Sequence, residues 1–560
     1  MKHRFSGMDR RTRLEEMANG IYDVLIIGGG ITGAGIALDA QKRGMKTALI
    51  EMQDFAAGTS SRSTKLVHGG LRYLKQFEVK MVAEVGKERA VVYENGPHVT
   101  TPEWMLLPFY EDGTFGAFTT SVGLRVYDFL AGVKPEERRK MLSKEETLGK
   151  EPLLRKQGLR GGGYYVEYRT DDARLTIEVM KKAVEAGASA VNYAKAEELV
   201  YEGGKLVGVK ARDVIGGGVY EIRARKVVNA TGPWVDTLRE LDRSKSGKTL
   251  RLTKGVHLVF DGSRFPLRQA IYFDTADKRM VFAIPRDGKT YVGTTDTDYA
   301  GDTVHPRATA EDRDYLLAAC NHMFPELLLT AKDIESSWAG LRPLIYEEGK
   351  SPSEVSRRDE IFVSPSGMLT IAGGKLTGYR KMAETITDLL ARKLQAEGFG
   401  PFAPCATRTL PISGGDVGGS ARFPEFVREM TEKGKQIGLA PESAQRLALR
   451  YGSNVPAVFD RILSAQKAGT GRGLSREVQA MLLYAIEEET AAKPVDFFIR
   501  RTGALFFDIA WVRQWKEPVV SFMAEQLGYS EEQVREYAEE LELELKAAVV
   551  PAEELEPVYS

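Results

Sequence analysis

The chain contains little cysteine: only Cys320 and Cys405 occur among its 560 residues. Two thiols so far apart do not form a disulfide framework, so we expect a reducing, cytosolic environment. No apolar run is long enough to span a bilayer, and the N-terminus lacks the apolar segment of a secretory signal. The formal net charge is zero, which gives no support for nucleic-acid binding. The sequence also lacks repeats at solenoid periods, and we assign no metal site.

The composition is that of an ordinary soluble protein, with 43% hydrophobic and 28% charged residues. A chain of 560 residues is too long for one compact core, so we expect two or three domains. The first 20 residues are basic, and we interpret them as a solvated arm. The alternative is an arm that contacts anionic lipid headgroups. Its cations are Lys2, Arg4, Arg10, Arg11 and Arg13.

One stretch near the N-terminus has the order strand, glycine turn, helix, strand, acid. The apolar run Val24–Ile27 predicts a buried parallel strand, and Gly28, Gly30 and Gly33 follow it as G-x-G-x-x-G. These glycines allow a tight turn, the approach of a pyrophosphate and close helix–strand packing. The following helix N-terminus favours phosphate. Glu51, after the second strand, can bind ribose hydroxyls and disfavours a 2′-phosphate, so the stretch predicts FAD or NAD.

Hydroxyl, glycine and cationic side chains are dense between residues 52 and 75. Hydroxyls and free amides there can bind a pyrophosphate and a ribityl chain, and Arg72 can meet a substrate phosphate as a bidentate donor. Two later strands end in small residues, at Ala230-Thr231-Gly232 and at Gly373-Gly374 before a helix. Both endings favour a resident flavin over a diffusible NAD. The alternating strands at 251–300 predict an antiparallel sheet over a substrate site.

A glycine-rich stretch at 413–420 is typical of a linker. Beyond it, the chain is almost wholly helical in pattern, without a visible catalytic cluster. We interpret residues 421–560 as a helical cap and expect a role in dimerisation or partner docking. The predicted helices are Phe423–Lys433, Glu442–Tyr451, Arg476–Glu489, Trp511–Gln526 and a last one from Ser530.

Taken together, these motifs resemble those of the FAD-dependent glycerol-3-phosphate dehydrogenases of aerobic respiration. The resemblance extends from about Tyr22 to the C-terminal helices. Its most specific part is the run Lys65-Leu-Val-His-Gly-Gly-Leu-Arg-Tyr73. The other matching stretches are Gly28–Gly35 with Glu51, Thr59–Ser61, Asp171–Leu175, Asn229–Trp234, Lys254–His257, Gly340–Leu344 and Gly373–Arg380.

The resemblance implies an α/β plus α+β fold. It comprises a glutathione-reductase-like FAD-binding domain (mainly 21–75, 171–240 and 355–400), an antiparallel-sheet substrate domain (mainly 76–170 and 241–354) and the all-helical cap. We expect FAD to be non-covalent, because neither cysteine lies in a flavin motif. The cofactor-binding candidates are Gly28, Gly30, Gly33, Glu51, Thr59, Ser60, Ser61, Lys65, Leu66, Ala230, Thr231, Gly232, Gly374, Lys375, Leu376 and Thr377.

The resemblance further implies oxidation of sn-glycerol 3-phosphate to dihydroxyacetone phosphate, with a hydride passing from substrate C2 to flavin N5. Electrons are expected to pass to a membrane quinone, from a protein attached peripherally to the inner face of the cytoplasmic membrane. Arg342 and Lys375 are candidates to hold the substrate oxygens and to lower the pKa of the alcohol. His257, slightly favoured, and His68 are the candidates for the base. Arg72 and Tyr73 are the phosphate candidates.

Three alternatives stay open at this point. A glycerol-3-phosphate oxidase on the same scaffold would reduce oxygen to peroxide. A related amine or amino-acid oxidase would need fewer substrate cations and would often carry a covalent flavin. A flavin-binding regulatory module would bind FAD that no glycerol phosphate can reduce.

Overall fold

The computed structural model describes residues 5–68, 79–113, 138–347, 359–469 and 471–555. They form two β-sheets and a helical region, which comprises the helices between residues 423 and 549. The strands are β1 (Ile21–Ile27), β2 (Thr47–Ile50), β3 (Leu66–Val67), β4 (Thr100–Tyr110), β5 (Lys140–Leu142), β6 (Leu159–Thr170), β7 (Ser189–Val191), β8 (Ala194–Glu202), β9 (Lys205–Asp213), β10 (Val219–Asn229), β11 (Lys248–Asp261), β12 (Ala270–Asp274), β13 (Met280–Arg286), β14 (Lys289–Gly293), β15 (Thr297–Asp298), β16 (Ile334–Glu347), β17 (Glu360–Val363) and β18 (Leu369–Ala372). The helices are α1 (Arg10–Ala18), α2 (Ile31–Lys42), α3 (Val79–Asn95), α4 (Lys144–Lys150), α5 (Asp172–Glu185), α6 (Val235–Leu241), α7 (Ala310–Met323), α8 (Tyr379–Ala396), α9 (Phe423–Gln436), α10 (Pro441–Tyr451), α11 (Val455–Ala468), α12 (Arg476–Glu489), α13 (Ala504–Phe507), α14 (Ile509–Leu527) and α15 (Glu531–Val549).

The first sheet has the strand order β17-β18-β10-β1-β2-β7, and β9 and β8 extend it from β10. The five strands from β18 to β7 are parallel, whereas β17, β9 and β8 are antiparallel to their neighbours. Helices cover both faces of β1. Val24 and Ile26 pack against α2, α5 and α8, and Leu25 and Ile27 pack on the side of α1. This explains why Val24–Ile27 is a continuous apolar run rather than an alternating one.

Within the described residues, the second sheet has ten strands in the order β15-β11-β14-β13-β12-β4-β6-β3, with β16 on β11 and β5 on β6. All of its pairs are antiparallel except β12 with β4. The predicted antiparallel sheet is therefore confirmed, with one parallel pair. One face packs on α7 and the other on the helical region, and together with the first sheet these layers confirm the predicted fold class.

Residues 5–20 do not form a solvated arm. Helix α1 buries Leu14 and Met17 against the first sheet. Arg10 is also buried, and its Nη2 donates to the Asn192 carbonyl at 2.6 Å and to Asp213 Oδ1 at 3.1 Å. The interpretation as solvated is wrong for residues 5–20, because their apolar side chains and Arg10 contact residues of the first sheet that lie far away in sequence. Lys2 and Arg4 lie outside the described residues.

The stretch 413–420 is likewise packed rather than a loose linker. Ser413 and Ser420 are buried, and a Cβ at Gly415 would overlap the carbonyl oxygen of Asn95. Glycine is needed here because the backbone passes close to α3, not because the chain must be flexible. The helices predicted beyond this stretch are present, together with α11 and a π-helical turn at Asp496–Arg501.

A buried ion cluster joins that helical region to the first sheet. Asp54, just after β2, is fully buried, and its oxygens accept hydrogen bonds from Arg501 Nη1 and Nη2 at 2.6 and 2.8 Å and from Arg500 Nε. Asn192 Nδ2 also donates to Asp54, at 3.0 Å. Burial by itself raises the pKa of Asp54, but the charges of Arg501 and Arg500 outweigh it and lower the pKa to about 2. Asp54 is therefore ionised at neutral pH and neutralises cations on the helical region.

We expect Asp54→Asn to destabilise the protein by about 3–5 kcal/mol, because two buried guanidinium groups would each lose a charged partner. The measurement is the midpoint of urea-induced unfolding. Asp298→Asn is the matched control, since Asp298 is 63% exposed and, among the described residues, forms an ion pair only with Arg251 at the surface. Its effect should stay within about 1 kcal/mol. Equal effects of the two substitutions would contradict the role assigned to Asp54.

The low pKa of Asp54 predicts that its contribution to stability is lost in acid. Its folded-state pKa of about 2 lies below the value of about 3.9 expected in the unfolded chain. The contribution is therefore complete above about pH 4 and disappears as the pH falls through about 2. Unfolding midpoints measured between about pH 5 and pH 2 should show the wild type converging on Asp54→Asn. A constant difference across this range would contradict the assignment.

Candidate active site

The glycine turn after β1 is packed so closely that side chains are excluded. Gly28 has φ +114°, and a Cβ there would stand 2.5 Å from the Ala230 carbonyl oxygen. A Cβ at Gly33 would overlap the carbonyl oxygen of Gly28. Gly30 is the N-cap of α2, and the Ile31 amide donates to Ser60 Oγ at 2.9 Å. The turn therefore brings the N-terminus of a 12-residue helix against the backbone of β10.

A cavity of about 860 Å³ opens beside this turn. Its size falls in the range of sites that enclose small organic ligands. The predicted cofactor residues that line it are Gly28, Gly30, Glu51, Thr59, Ser60, Ala230, Thr231, Gly232, Gly374, Lys375 and Leu376. The structure thus brings together segments that the sequence separates by more than 300 residues.

Glu51 lies in the wall of this cavity, where its carboxylate bridges two backbone segments. Oε2 accepts from the Gly29 amide at 2.6 Å and Oε1 from the Gln53 amide at 2.8 Å. Burial raises the pKa of Glu51, and these two amides oppose the rise. The carboxylate therefore fixes the glycine turn, and its contact with a ribose remains a prediction.

Five predicted cofactor residues lie outside the cavity lining: Gly33, Ser61, Lys65, Leu66 and Thr377. The ammonium group of Lys65 is buried and donates to Asp172 Oδ1 at 2.6 Å and to the Ser61 carbonyl at 2.9 Å. Thr377 Oγ1 donates to the His68 carbonyl at 3.2 Å. These side chains hold the cavity segments in place rather than forming its wall.

Arg342 lies on β16, one residue before Pro343, which lines the cavity. Its guanidinium donates to Thr294 Oγ1 at 2.8 Å, to the Thr295 carbonyl at 3.0 Å and to Asp296 Oδ1 at 3.2 Å. These acceptors fix its orientation. The side chain remains 31% exposed, so part of this cation stays accessible.

His257 on β11 is buried and rigidly held. Its ring stacks on Trp338 with a centroid distance of 4.6 Å and an interplanar angle of 9°, and Nε2 lies 3.1 Å from Thr64 Oγ1. Burial, and then the charges of Arg342 and Lys65, hold the pKa of His257 well below 6.5. The imidazole is therefore neutral at neutral pH.

His68 is also neutral at neutral pH. Burial, followed by the charges of Lys375 and Arg89, lowers its pKa to about 4. Each candidate base thus feels one of the two cations predicted to hold the substrate. The remaining candidates, Arg72 and Tyr73, lie outside the described residues.

One segment, residues 59–68, connects the two sheets at this site. Thr59 Oγ1 donates to the Leu341 carbonyl at 2.7 Å, and Trp338 Nε1 donates to the Ser63 carbonyl at 3.2 Å. Leu341 and Trp338 both belong to β16. Ser60 Oγ, in contrast, accepts from the Ile31 amide next to the glycine turn. The segment therefore sets the position of the second sheet relative to the cavity beside the glycine turn.

Sequence reasoning missed part of the cavity wall. The start of β8, from Ala194 to Glu197, lines it, yet no local signal in that strand marks it as a ligand contact. Trp234 also lines it, within the quoted Asn229–Trp234 motif but without an assigned role. Neither cysteine belongs to the lining. Within the described ranges, no group of three or more His, Cys, Asp or Glu side chains could hold a metal ion.

These residues fit a dinucleotide. Glycine at 28 and 30 leaves backbone open to a pyrophosphate in the cavity, and Gly33 lets α2 pack close behind it. The N-terminus of α2 provides amide groups and a positive dipole for the phosphates. The cavity continues to the Gly373-Gly374 turn, where both residues have positive φ and precede a short 3₁₀ turn and α8. The strand does not lead directly into that helix, as the sequence suggested, because the 3₁₀ turn at Leu376–Gly378 intervenes.

Comparison with known proteins agrees with this geometry. A family model described as FAD dependent oxidoreductase matches residues 23–380, and one described as the C-terminal domain of alpha-glycerophosphate oxidase matches residues 405–534. The aerobic glycerol-3-phosphate dehydrogenase of Bacillus subtilis (strain 168) is 65% identical over 554 residues, covering 99% of this chain and 100% of that protein. The corresponding protein of Staphylococcus aureus (strain USA300) is 59% identical over 536 residues, covering 95% and 96%.

Two solved structures extend the comparison. A glycerol-3-phosphate dehydrogenase from Bacillus halodurans complexed with FAD aligns with a TM-score of 0.86 and 53% identity, over 99% of this chain and 100% of that one. An L-alpha-glycerophosphate oxidase from Mycoplasma pneumoniae, with FAD bound, has a TM-score of 0.55 and 18% identity over 69% and 97%, and shares the fold. By sequence and by structure, therefore, this chain is an FAD-dependent oxidoreductase and belongs to the family of aerobic glycerol-3-phosphate dehydrogenases.

Proposed function

We propose that the protein oxidises sn-glycerol 3-phosphate to dihydroxyacetone phosphate with a non-covalently bound FAD. The observation that carries the proposal is the cavity lined by both the glycine turn and Lys375, with Arg342 next to the lining residue Pro343 and two neutral histidines close to these cations. The names of relatives at 65% and 59% identity support the choice of substrate. The division into an FAD-binding domain, a substrate domain and a helical cap at 421–560 is part of this proposal.

Bound FAD supplies a two-electron acceptor that can take a hydride from an alcohol carbon. The protein side of the reaction is the loss of the hydroxyl proton. Arg342, oriented by Thr294 and Asp296, and Lys375 place positive charge next to the alcohol oxygen, which favours the developing negative charge. Arg72 and Tyr73 are our candidates for the substrate phosphate.

His257 is our preferred base. A base must be neutral before it accepts a proton, and burial and Arg342 keep His257 in that form. Stacking on Trp338 and the contact with Thr64 fix its ring, so little reorganisation is needed. His68, whose pKa is lowered in part by the charge of Lys375, is the second candidate. Substitution of each histidine distinguishes the two.

We also propose that the electrons leave to a membrane quinone from a protein on the cytoplasmic face, and that the helical cap takes part in a homodimer. The word aerobic in the names of the relatives supports a respiratory acceptor. In the part of the chain that the structure describes, no helix is long and apolar enough to cross a bilayer. Flotation with anionic liposomes and analytical ultracentrifugation test the membrane contact and the dimer.

Anaerobic spectroscopy tests the reaction itself. We expect sn-glycerol 3-phosphate to bleach the flavin absorption, and a soluble quinone to restore it faster than air does. Fast recovery in air with formation of peroxide would identify an oxidase. Bound flavin that the substrate never bleaches would contradict the proposed function and favour a binding module.

Gly33→Ala should abolish flavin binding, because its Cβ would overlap the Gly28 carbonyl and push α2 away from the cavity. The measurement is the flavin-to-protein absorption ratio of the purified protein, with circular dichroism to establish that it is folded. Gly149→Ala is the control, since a Cβ there meets nothing within 4 Å. A folded Gly33→Ala protein with full flavin content would overturn the assignment of this turn.

Arg342→Gln should slow flavin bleaching by about 10²–10³-fold, the range typical of losing a donor to a developing oxyanion. Flavin content should be unchanged, because Arg342 does not line the cofactor cavity. The control is Arg251→Gln, which removes an ion pair with Asp298 from β11, the strand that pairs with β16. It should leave the rate near that of the wild type. Equal rates in the two variants would remove Arg342 from the mechanism.

The two histidines predict a distinct pH dependence. Since the pKa of each lies below 6.5, the base remains neutral, and the bleaching rate should fall only at pH values well below 6.5. His257→Gln should lower the rate by about 10²–10⁴-fold. His68→Gln should have less than about a tenfold effect. The measurement is the single-turnover rate of flavin bleaching as a function of pH. A larger effect of His68→Gln than of His257→Gln would assign the base role to His68.

A further inference from the structure

The π-helical turn Asp496–Arg501 belongs to the helical region and has no part in the proposed reaction. Its six residues, all of them described by the structure, are buried, and none of them lines the cavity beside the glycine turn. Turns of this kind are rare in proteins and occur frequently at functional sites. The polar side chains of this turn contact two segments that form part of the cavity wall.

The first of these segments, residues 51–58, follows β2. Its residues that line the cavity are Glu51, Met52, Ala57 and Gly58. Phe55, in the middle of the segment, packs on the glycine turn so closely that a Cβ at Gly29 would stand 2.5 Å from its ring. Asp54 contacts the helical region instead, where Arg501 donates to both of its carboxylate oxygens, at 2.6 and 2.8 Å. The segment is therefore held between the glycine turn and the π-helical turn.

The second segment is the start of β8, where Ala194 to Glu197 line the cavity. Tyr193 directly precedes it, and the Tyr193 hydroxyl donates to Asp496 Oδ1 at 2.6 Å. Both side chains are buried, so solvent does not compete for this hydrogen bond. The π-helical turn thus holds the second segment through the residue next to its first position.

The two segments are also joined to each other by backbone hydrogen bonds. The Tyr193 amide donates to the Gln53 carbonyl at 2.8 Å, and the Ala194 amide donates to the Glu51 carbonyl at 2.7 Å. A displacement of either segment would therefore displace the other. The contacts of Asp496 and Arg501 consequently act on one connected part of the cavity wall.

This part of the wall has an unfavourable backbone conformation at two positions. Ala56 has φ +65° and Tyr193 has φ +53°. Residues with a Cβ rarely adopt this left-handed region, and they keep it only where surrounding contacts impose it. The Ala56 amide donates to the Gly29 carbonyl at 3.1 Å, so its conformation sets the distance between the segment and the glycine turn. The nearby contacts of Asp54 and Tyr193 with the π-helical turn help to impose both conformations.

We propose that Asp496 and Arg501 are positioning residues for FAD, which hold the two wall segments in the conformation that binds the cofactor. Weakening their contacts should speed the loss of FAD. Bound FAD should in turn favour the docking of the helical region, because coupling between two sites is reciprocal. The proposal requires bound FAD but not the proposed reaction, so either can fail without the other.

Tyr193→Phe tests the proposal, because it removes one hydroxyl and with it the hydrogen bond to Asp496. We expect FAD to leave the loaded full-length protein at least about fivefold faster. The measurement is the rise of flavin fluorescence after dilution, with circular dichroism to establish that the protein is folded.

Tyr484→Phe is the matched control. Tyr484 is also buried, and its hydroxyl accepts from Lys181 Nζ at 2.7 Å, whereas the described lining of the cavity includes neither residue. FAD should leave this variant at the wild-type rate. Equal acceleration in the two tyrosine variants would overturn the proposal.

Hydrogen exchange of the FAD-loaded proteins distinguishes positioning from a general loss of stability. In Tyr193→Phe, peptides that cover residues 51–58 and 194–197 should exchange faster than in the wild type. Peptides from α9, in the same helical region, should exchange at the wild-type rate. Faster exchange in α9 as well would show a general loss of stability and would contradict the positioning role.

Arg501→Lys provides a second variant, which keeps the positive charge but loses the planar fork that meets both oxygens of Asp54. It should also lose FAD at least about fivefold faster than the wild type. Arg461→Lys is its control, since Arg461 binds Glu487 through two nitrogens within the helical region. Wild-type rates of FAD loss in both Tyr193→Phe and Arg501→Lys, or in Tyr193→Phe if Arg501→Lys does not fold, would refute the proposal.

Discussion

Asp172, a fully buried carboxylate at the start of α5, holds the segment on which both halves of the active site rely. It accepts from Lys65 Nζ at 2.6 Å and from Ser63 Oγ and amide at 2.7 and 3.1 Å. The segment so anchored contacts the glycine turn through Ser60 and His257 through Thr64. A charge-assisted, desolvated contact of this kind fixes geometry better than a surface pair, because solvent does not compete for it.

The electrostatics of the site follow from burial next to cations. Burial, together with the charge of Arg342 on His257 and of Lys375 on His68, keeps both histidines neutral. In the proposed mechanism, the same two cations favour negative charge on the substrate oxygen. A histidine in that state can accept a proton, although its low pKa limits how strongly it holds it. The proposed mechanism is therefore compatible with a cationic site, since in it the substrate oxygen rather than the imidazole carries the charge that the cations stabilise.

The helical region is integrated with the rest of the molecule rather than appended to it. Arg500 and Arg501 neutralise Asp54 next to the first sheet, and Phe506 and Phe507 contact Trp338, the residue that stacks on His257. Of the two adjacent acids at the start of α5, Asp172 binds Lys65, and Asp171 accepts a hydrogen bond from Arg286 on β13. The helical region thus contributes to the packing behind His257.

Local patterns were enough to predict the strand–glycine–helix–strand–acid unit, the antiparallel sheet and most C-terminal helices, because each depends on periodicity and on glycine at positions that admit no Cβ. The motif residues Gly28, Thr231 and Lys375 were also recognisable before their convergence on one cavity was visible. Tertiary structure alone decided the packing of α1, the burial of stretch 413–420, the Asp172–Lys65 and Asp54–Arg501 pairs, and the neutral state of His257. Those features arise between residues that are remote in sequence, where desolvation and partner charges, rather than any local pattern, set the outcome.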